Sequence, residues 1–187
     1  MNIVLLTAQG NTVVRPDTTW ERDNEDFYAP EFVGELLYSP VLFARVSKPG
    51  RSIGEKFASR YFDAYNYGVL LYSADLLAKG EQGYACASCL DHTSFLPFPL
   101  YNPVTLGQEG NEFELQKDGK QIFSCRAHSK SDIERAIAEV SKYCYLRIGD
   151  MVALELAAPS PLGARPETME IKGTYCGNET IDFKLIF

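Results

Sequence analysis

The chain's five cysteines and two histidines are its best candidates for soft-metal binding or nucleophilic attack. Cys86-Ala87-Ser88-Cys89 is a Cys-x-x-Cys pair with His92 three residues on, and Cys125 stands three residues before His128. Cys-x-x-Cys with Cys-x-x-His is permissible zinc spacing, because thiolate and imidazole ligands from two short loops can close a tetrahedron. That set would make a zinc-stabilised interaction module. The segment is apolar and lacks the usual knuckle glycines, however, and cysteine is among the most buried residue types, so packed thiols explain the same residues. Cys86 or Cys89 could act as a nucleophile with His92 as base only if their side chains met in space. An odd number of cysteines and no export signal point to free thiols in a reducing compartment.

The acidic residues divide in the same way. Asp23 to Asp26, Asp132 and Glu134 read most simply as solvated faces or favourable charges at a helix start. Trp20 and the 11 tyrosines could line a groove, but core and sheet surface account for them. A net charge of -7, with the charges interspersed, argues against a nucleic-acid or anionic-membrane surface. Hydrophobic residues at 45% and charged residues at 23% place the chain among ordinary globular proteins. No stretch approaches the ~20 apolar residues of a membrane span, and Ile3–Leu6 is too short for a signal peptide core. A cytoplasmic protein is the expectation.

The elements that must position these residues are mostly short strands. Ile3–Leu6 reads as a first strand turned by Gly10-Asn11, and Phe27–Phe32 as an edge strand or extended loop. Val41–Val46 reads as a buried strand bounded by Pro40 and Pro49-Gly50. Ser52-x-x-Glu55 predicts a capping box opening a helix with Phe57, Tyr61 and Tyr65 in one stripe. Tyr67–Tyr72 predicts a strand, and Ser73–Lys79 a capped helical turn closed by Gly80. Residues 81–110 read as loop and short strands. Asp118-Gly119 joins Glu112–Gln116 to Gln121–Cys125 as a hairpin. Ser131-x-x-Glu134 predicts a second helix with Ile133, Ile137, Val140 and Cys144 on one face. Met151–Leu156, Thr168–Thr174 and Thr180–Ile186 predict strands, the last with one wet face. The fold class is α+β, β-rich, with two main helices in a single domain over residues 1–187.

In this order the segments resemble short bacterial members of the fumarylacetoacetate hydrolase family. Lys48-Pro49-Gly50-Arg51-Ser52-Ile53 leads into Phe57–Ala64, then Gly68-Val69-Leu70 and Ala74-Asp75-Leu76. These are similar to the family's helix, its Gly-x-Asp strand and its Ala-Arg-Asp-Leu-Gln segment. The Asp118-Gly119 turn, the helix from Ser131 and Leu146-Arg147-Ile148-Gly149-Asp150 match later family elements, and Arg15-Pro16-Asp17-Thr18 resembles its Lys-Pro-x-Ser element. Residues 1–44 are divergent and shortened. The resemblance implies a mixed β-sandwich roll, a homodimer, and a divalent ion (magnesium or manganese) gripping two oxygens of an oxo-acid or diketone for hydrolysis, isomerisation or decarboxylation.

The carboxylates that would hold that ion are missing. The family's Glu-x-Glu pair falls on Ser39 and Val41, and the aspartate of Gly-x-Asp on Leu70. Ala74 replaces the arginine, Ser88 a lysine, and Leu154-Glu155-Leu156-Ala157 the Thr-Gly-Thr-Pro loop, while Asp75 and Asp91 persist. Arg15, Asp17, Asp75, Ser88 and Asp91 would make up a residual pocket. Three ligands lost together leave nothing to offset an ion's dehydration. The reading is a non-catalytic relative with an unknown ligand or partner, no catalytic residue and no resident metal. The alternative is an active metal-dependent hydrolase, isomerase or decarboxylase with a rebuilt site, drawing on Glu31, Glu35 or Asp63.

Overall fold

The computed structural model describes residues 1–126 and 129–187. The strands of the larger sheet are β1 (Asn2–Leu6), β2 (Thr12–Pro16), β3 (Trp20–Glu21), β5 (Glu35–Val46), β6 (Phe62–Ser73), β7 (Ser94–Phe95), β10 (Met151–Glu155) and β11 (Ser160–Ala164). Its order is β2-β1-β10-β5-β6-β7-β3, with β11 continuing the β5 edge beyond β10. The smaller sheet holds β4 (Phe27–Tyr28), β8 (Glu112–Lys117), β9 (Lys120–Arg126), β12 (Thr168–Tyr175) and β13 (Asn178–Ile186), in the order β4-β13-β12-β8-β9. Among the described residues four α-helices accompany the sheets: α1 (Glu55–Ala58), α2 (Ala74–Leu77), α3 (Glu81–Ala87) and α4 (Lys130–Val140). This is the β-rich α+β architecture expected.

Strand alternation makes two cores from the larger sheet. Leu42, Ala44, Tyr65, Tyr67, Val69 and Leu71 point to one face, where the smaller sheet contributes Phe113, Ile171, Tyr175 and Phe183 and α4 contributes Ile133, Ile137 and Val140. Ile3, Leu5, Val41, Phe43, Leu70, Tyr72, Met151 and Ala153 point to the other face, packed with Ala87 and Tyr84 of α3 and Leu76 and Leu77 of α2. The second face carries Val41 and Leu70, two of the positions where the family resemblance places metal ligands.

The longest pairing, β5 with β6, overrode several local signals. Tyr61 and Tyr65 do not continue a helix from Ser52: α1 is a single turn capped at Gly54, Ser52 has φ +49°, and Tyr65 lies inside β6 opposite Ala44. The aromatic run after Ser59 gains more from an extended ladder and a buried face than from further helical turns. Pro40 does not end the strand either. Its carbonyl accepts from Leu156 N at 2.9 Å, so its missing N–H falls where the chain leaves β10 for β11 and costs no ladder bond. Gly68 is required inside β6, because a Cβ there would strike the Phe95 carbonyl of β7.

Two helix boundaries also moved. The capping box of α4 is Ser129 with Asp132, two residues ahead of Ser131/Glu134, and Cys144 lies past the helix end. Within residues 81–110 the chain forms α3, which sequence alone read as loop. Its start at Gly80 (φ +74°) follows directly on α2, and the two pack as one corner over the second face. The Asp118-Gly119 hairpin, the Ser73 cap of α2 and the alternating β13 formed as expected. Among the described residues no helix is long and apolar enough to cross a membrane.

Candidate functional site

Ser39 and Leu70 are direct cross-strand partners in β5 and β6, and Val41 follows two residues on, so all three face the same way. All three are fully buried. Val41 and Leu70 belong to the apolar cluster of the second face, and the Ser39 hydroxyl donates to the Ala157 carbonyl at 2.7 Å. A hard cation needs several anionic or carbonyl oxygens in place of its water. These three side chains offer one hydroxyl, already engaged, and hydrocarbon. The divalent ion implied by the family resemblance does not fit them.

One carboxylate stands beside this patch. Glu155 ends β10 opposite Val41 on the same face. Its Oε1 accepts from the Tyr72 hydroxyl at 2.7 Å and its Oε2 from the Ala8 amide at 2.9 Å. Tyr72 lies on β6 two residues after Leu70, and the Tyr84 ring of α3 stacks on it at 6.0 Å. The Arg15 guanidinium lies over the Tyr72 ring, 4.9 Å from its centroid. Burial pushes the Tyr72 and Tyr84 phenols above their usual range, and pulls the guanidinium down against the opposing pull of Tyr72, Tyr84 and Glu155.

Arg15 is wholly buried. Its Nη2 donates to Thr93 Oγ1 at 2.6 Å and to the carbonyls of Leu71 and Thr93 at 3.2 and 3.3 Å. Its Nε and Nη1 have no hydrogen-bond partner among the described protein groups. In front of Glu155 opens a cleft of about 740 Å³, walled by Val13, Leu37, Leu77 and Tyr84 with Thr7, Asn11 and Glu81 at its polar side. That volume suits a small organic molecule.

The remaining sequence candidates are dispersed. Asp17 is exposed, with its carboxylate 3.9 Å from the terminal amine of Met1. Asp75 accepts from the amides of Gly34 and Glu35 at 2.7 and 3.2 Å, tethering the start of β5, and these bonds hold its carboxyl below the usual range. The Ser88 hydroxyl caps back onto the Tyr84 carbonyl. Asp63 forms a two-pronged pair with Arg45, and Glu31 and Glu35 are exposed.

The zinc set does not assemble among the described residues. Cys86 and Cys89 are exposed near the end of α3, whereas Cys125 is on β9 of the other sheet; His128 lies outside the described residues. His92 instead meets Glu21, Nδ1 to Oε2 at 3.1 Å, and with Glu25 these two offer ligand atoms within 4.8 Å of one another. His92 and Glu25 border a second hollow of about 400 Å³ that Asp91 and Asp26 also line. Sequence reasoning met Glu155 only within the segment that replaces the Thr-Gly-Thr-Pro loop and gave no site role to Glu155, Tyr72 or Tyr84. Glu155 had a signal of its own, as the one charge within the apolar run Met151–Leu156.

No family model matches the sequence, and no curated protein matches it. Solved structures do. A protein of Yersinia pestis CO92 assigned to the fumarylacetoacetate hydrolase family aligns at TM-score 0.80 and 16% identity, over 99% of this chain and 92% of its own. A fumarylpyruvate hydrolase from Pseudomonas aeruginosa, solved with Mn2+ and pyruvate, aligns at 0.80 and 16%, over 100% and 90%. A 5-carboxymethyl-2-hydroxymuconate delta-isomerase from Mycobacterium smegmatis aligns at 0.77 and 15%, over 99% and 78%. The chain therefore has the fold of the fumarylacetoacetate hydrolase family.

Proposed function

We propose that this chain is a non-catalytic binding protein on the fumarylacetoacetate hydrolase fold, taking a small molecule in the cleft in front of Glu155. One observation carries the reading: Ser39, Val41 and Leu70 lie together on one face, fully buried, and supply no carboxylate. A doubly charged ion seated there would lose its hydration with nothing to replace it. A homodimer belongs to this reading, and the exposed Tyr143, Tyr145 and Ile148 give it an apolar surface to use. Of the described residues, the set whose donors could span a divalent ion is Glu21, Glu25 and His92, which share no lining residue with the cleft.

The rival reading is a metal-dependent hydrolase or isomerase with a rebuilt site, and Glu155 favours it by setting a carboxylate opposite Val41. One carboxylate, already accepting from a phenol and an amide, is few oxygens for a hard cation. Oxaloacetate, acylpyruvates and fumarylacetoacetate, each assayed with Mg2+ and with Mn2+, decide between them. The binding reading expects no turnover above the buffer rate. Metal-dependent turnover that disappears in Glu155→Gln would replace it with the rebuilt enzyme.

A further inference from the structure

The cleft is anionic. Its two ionisable carboxylates, Glu155 at the floor and Glu81 at the exposed mouth, are joined by no lysine, arginine or histidine in its lining. Glu155 is only 5% exposed, and the partners the described residues give it are neutral donors, a phenol and an amide. A carboxylate accepts about four hydrogen bonds, so two acceptor positions are left. Arg15 feels this charge but is not among the cleft residues; it is stacked on the Tyr72 ring. An anion held largely out of water gains most from a cation delivered to it with matching donors.

The walls fit the rest of such a ligand. Tyr84 presents an aromatic ring beside the carboxylate, which favours a cation at its face. Val13, Leu37 and Leu77 offer hydrocarbon for an apolar body. An oxo-acid would bring its own carboxylate against Glu155 and Glu81, and like charges at close range select against it.

We propose that the cleft binds a small organic cation, a primary ammonium or guanidinium on an apolar body, with Glu155 as its counter-ion. This rests on the reading of the cleft as a small-molecule site and names the ligand class.

Calorimetric titration of the full chain at pH 7.5 with 4-phenylbutylamine, 4-phenylbutanol and 4-phenylbutyrate tests it, since the three share one body and differ in head group. The amine should bind about tenfold or more tighter than the alcohol, and the carboxylate should bind more weakly than either. Glu155→Gln keeps the shape and an acceptor oxygen and should weaken the amine by about tenfold or more. Glu81→Gln, at the solvated mouth, should weaken it by about twofold to threefold. Leu77→Trp fills the cleft without altering charge and should abolish binding. The proposal is overturned if the carboxylate binds as tightly as the amine, if Glu155→Gln or Leu77→Trp leaves amine affinity unchanged, or if the amine does not bind at millimolar concentration. Carboxylate binding that Leu77→Trp blocks would remove the cation while keeping a small-molecule cleft. Turnover in the oxo-acid assays is what would remove the binding reading itself.

Discussion

Leu70→Asp restores the carboxylate that the family resemblance places in β6, and the structure sets its cost. Leu70 has no exposed surface and packs in the cluster of Val41, Phe43 and Leu96. Truncating a buried leucine costs about 2–5 kcal/mol. The new carboxyl would lie opposite Ser39, whose hydroxyl proton is committed to the Ala157 carbonyl. Unpaired and buried, it would be neutral, and staying neutral at pH 7 against a free value near 3.9 costs about 4 kcal/mol at 1.36 kcal/mol per unit. Together these approach the whole stability of a typical domain, roughly 5–15 kcal/mol.

The pH dependence has a definite sign. The folded-state pKa of this aspartate is raised above its unfolded value, so the ionisation penalty is absent below pH ~4 and grows as pH rises toward the folded pKa. The gap between wild type and Leu70→Asp, read from urea midpoints, should therefore widen from pH 4 to pH 7.5. Leu70→Asn, which shares the packing loss but does not titrate, should show a gap of constant width. The reasoning fails if Leu70→Asp matches wild type at pH 7.5. It also fails if millimolar Mn2+ raises the melting temperature of Leu70→Asp but not of Leu70→Asn, because a cation would then have found a cradle there.

Arg15→Ala should lower stability by about 3–5 kcal/mol in urea unfolding, because it strips donors from Thr93 and Leu71 and removes the cation stacked on Tyr72. Asp75→Asn should weaken the protein slightly at neutral pH, with the gap to wild type closing in acid. The depressed carboxyl of Asp75 contributes stability above its unfolded pKa near 4 and loses it as pH falls through the folded value. Iodoacetamide at pH 8 should label the exposed Cys86 and Cys89 first by mass spectrometry. Cys125 should lag far behind, since burial pushes its thiol up to about 11 and leaves a thiolate fraction on the order of one in a thousand.

The local chemistry of turns and alternation was readable from residues alone. Asp118-Gly119 demands a hairpin because both residues take positive φ, and β13 alternates because one of its faces is wet. Ordered motifs across the chain pointed to the fold, which the solved structures share at 14–19% identity among those compared. Patterns of size, polarity and turn residues outlast the identities of individual side chains, since many side chains can fill the same core. The helix signal at Ser52, in contrast, was local and failed: one turn forms from Gly54 rather than Ser52, and β6 takes Tyr65, because twelve residues of ladder bury more than further helical turns could.

Sequence alone determined that Ser39, Val41 and Leu70 carry no anionic oxygen, since residue type is all that statement needs. It also determined the strand-rich class, through spacings each segment carries within itself. Only the tertiary structure decided which side chains meet: Glu155 with Tyr72 across 83 positions, Arg15 over Tyr72, His92 with Glu21 rather than with cysteine. Those contacts depend on strand order and register, set by long-range pairing of β10 and β1 with distant partners, and no window of neighbouring residues contains that information.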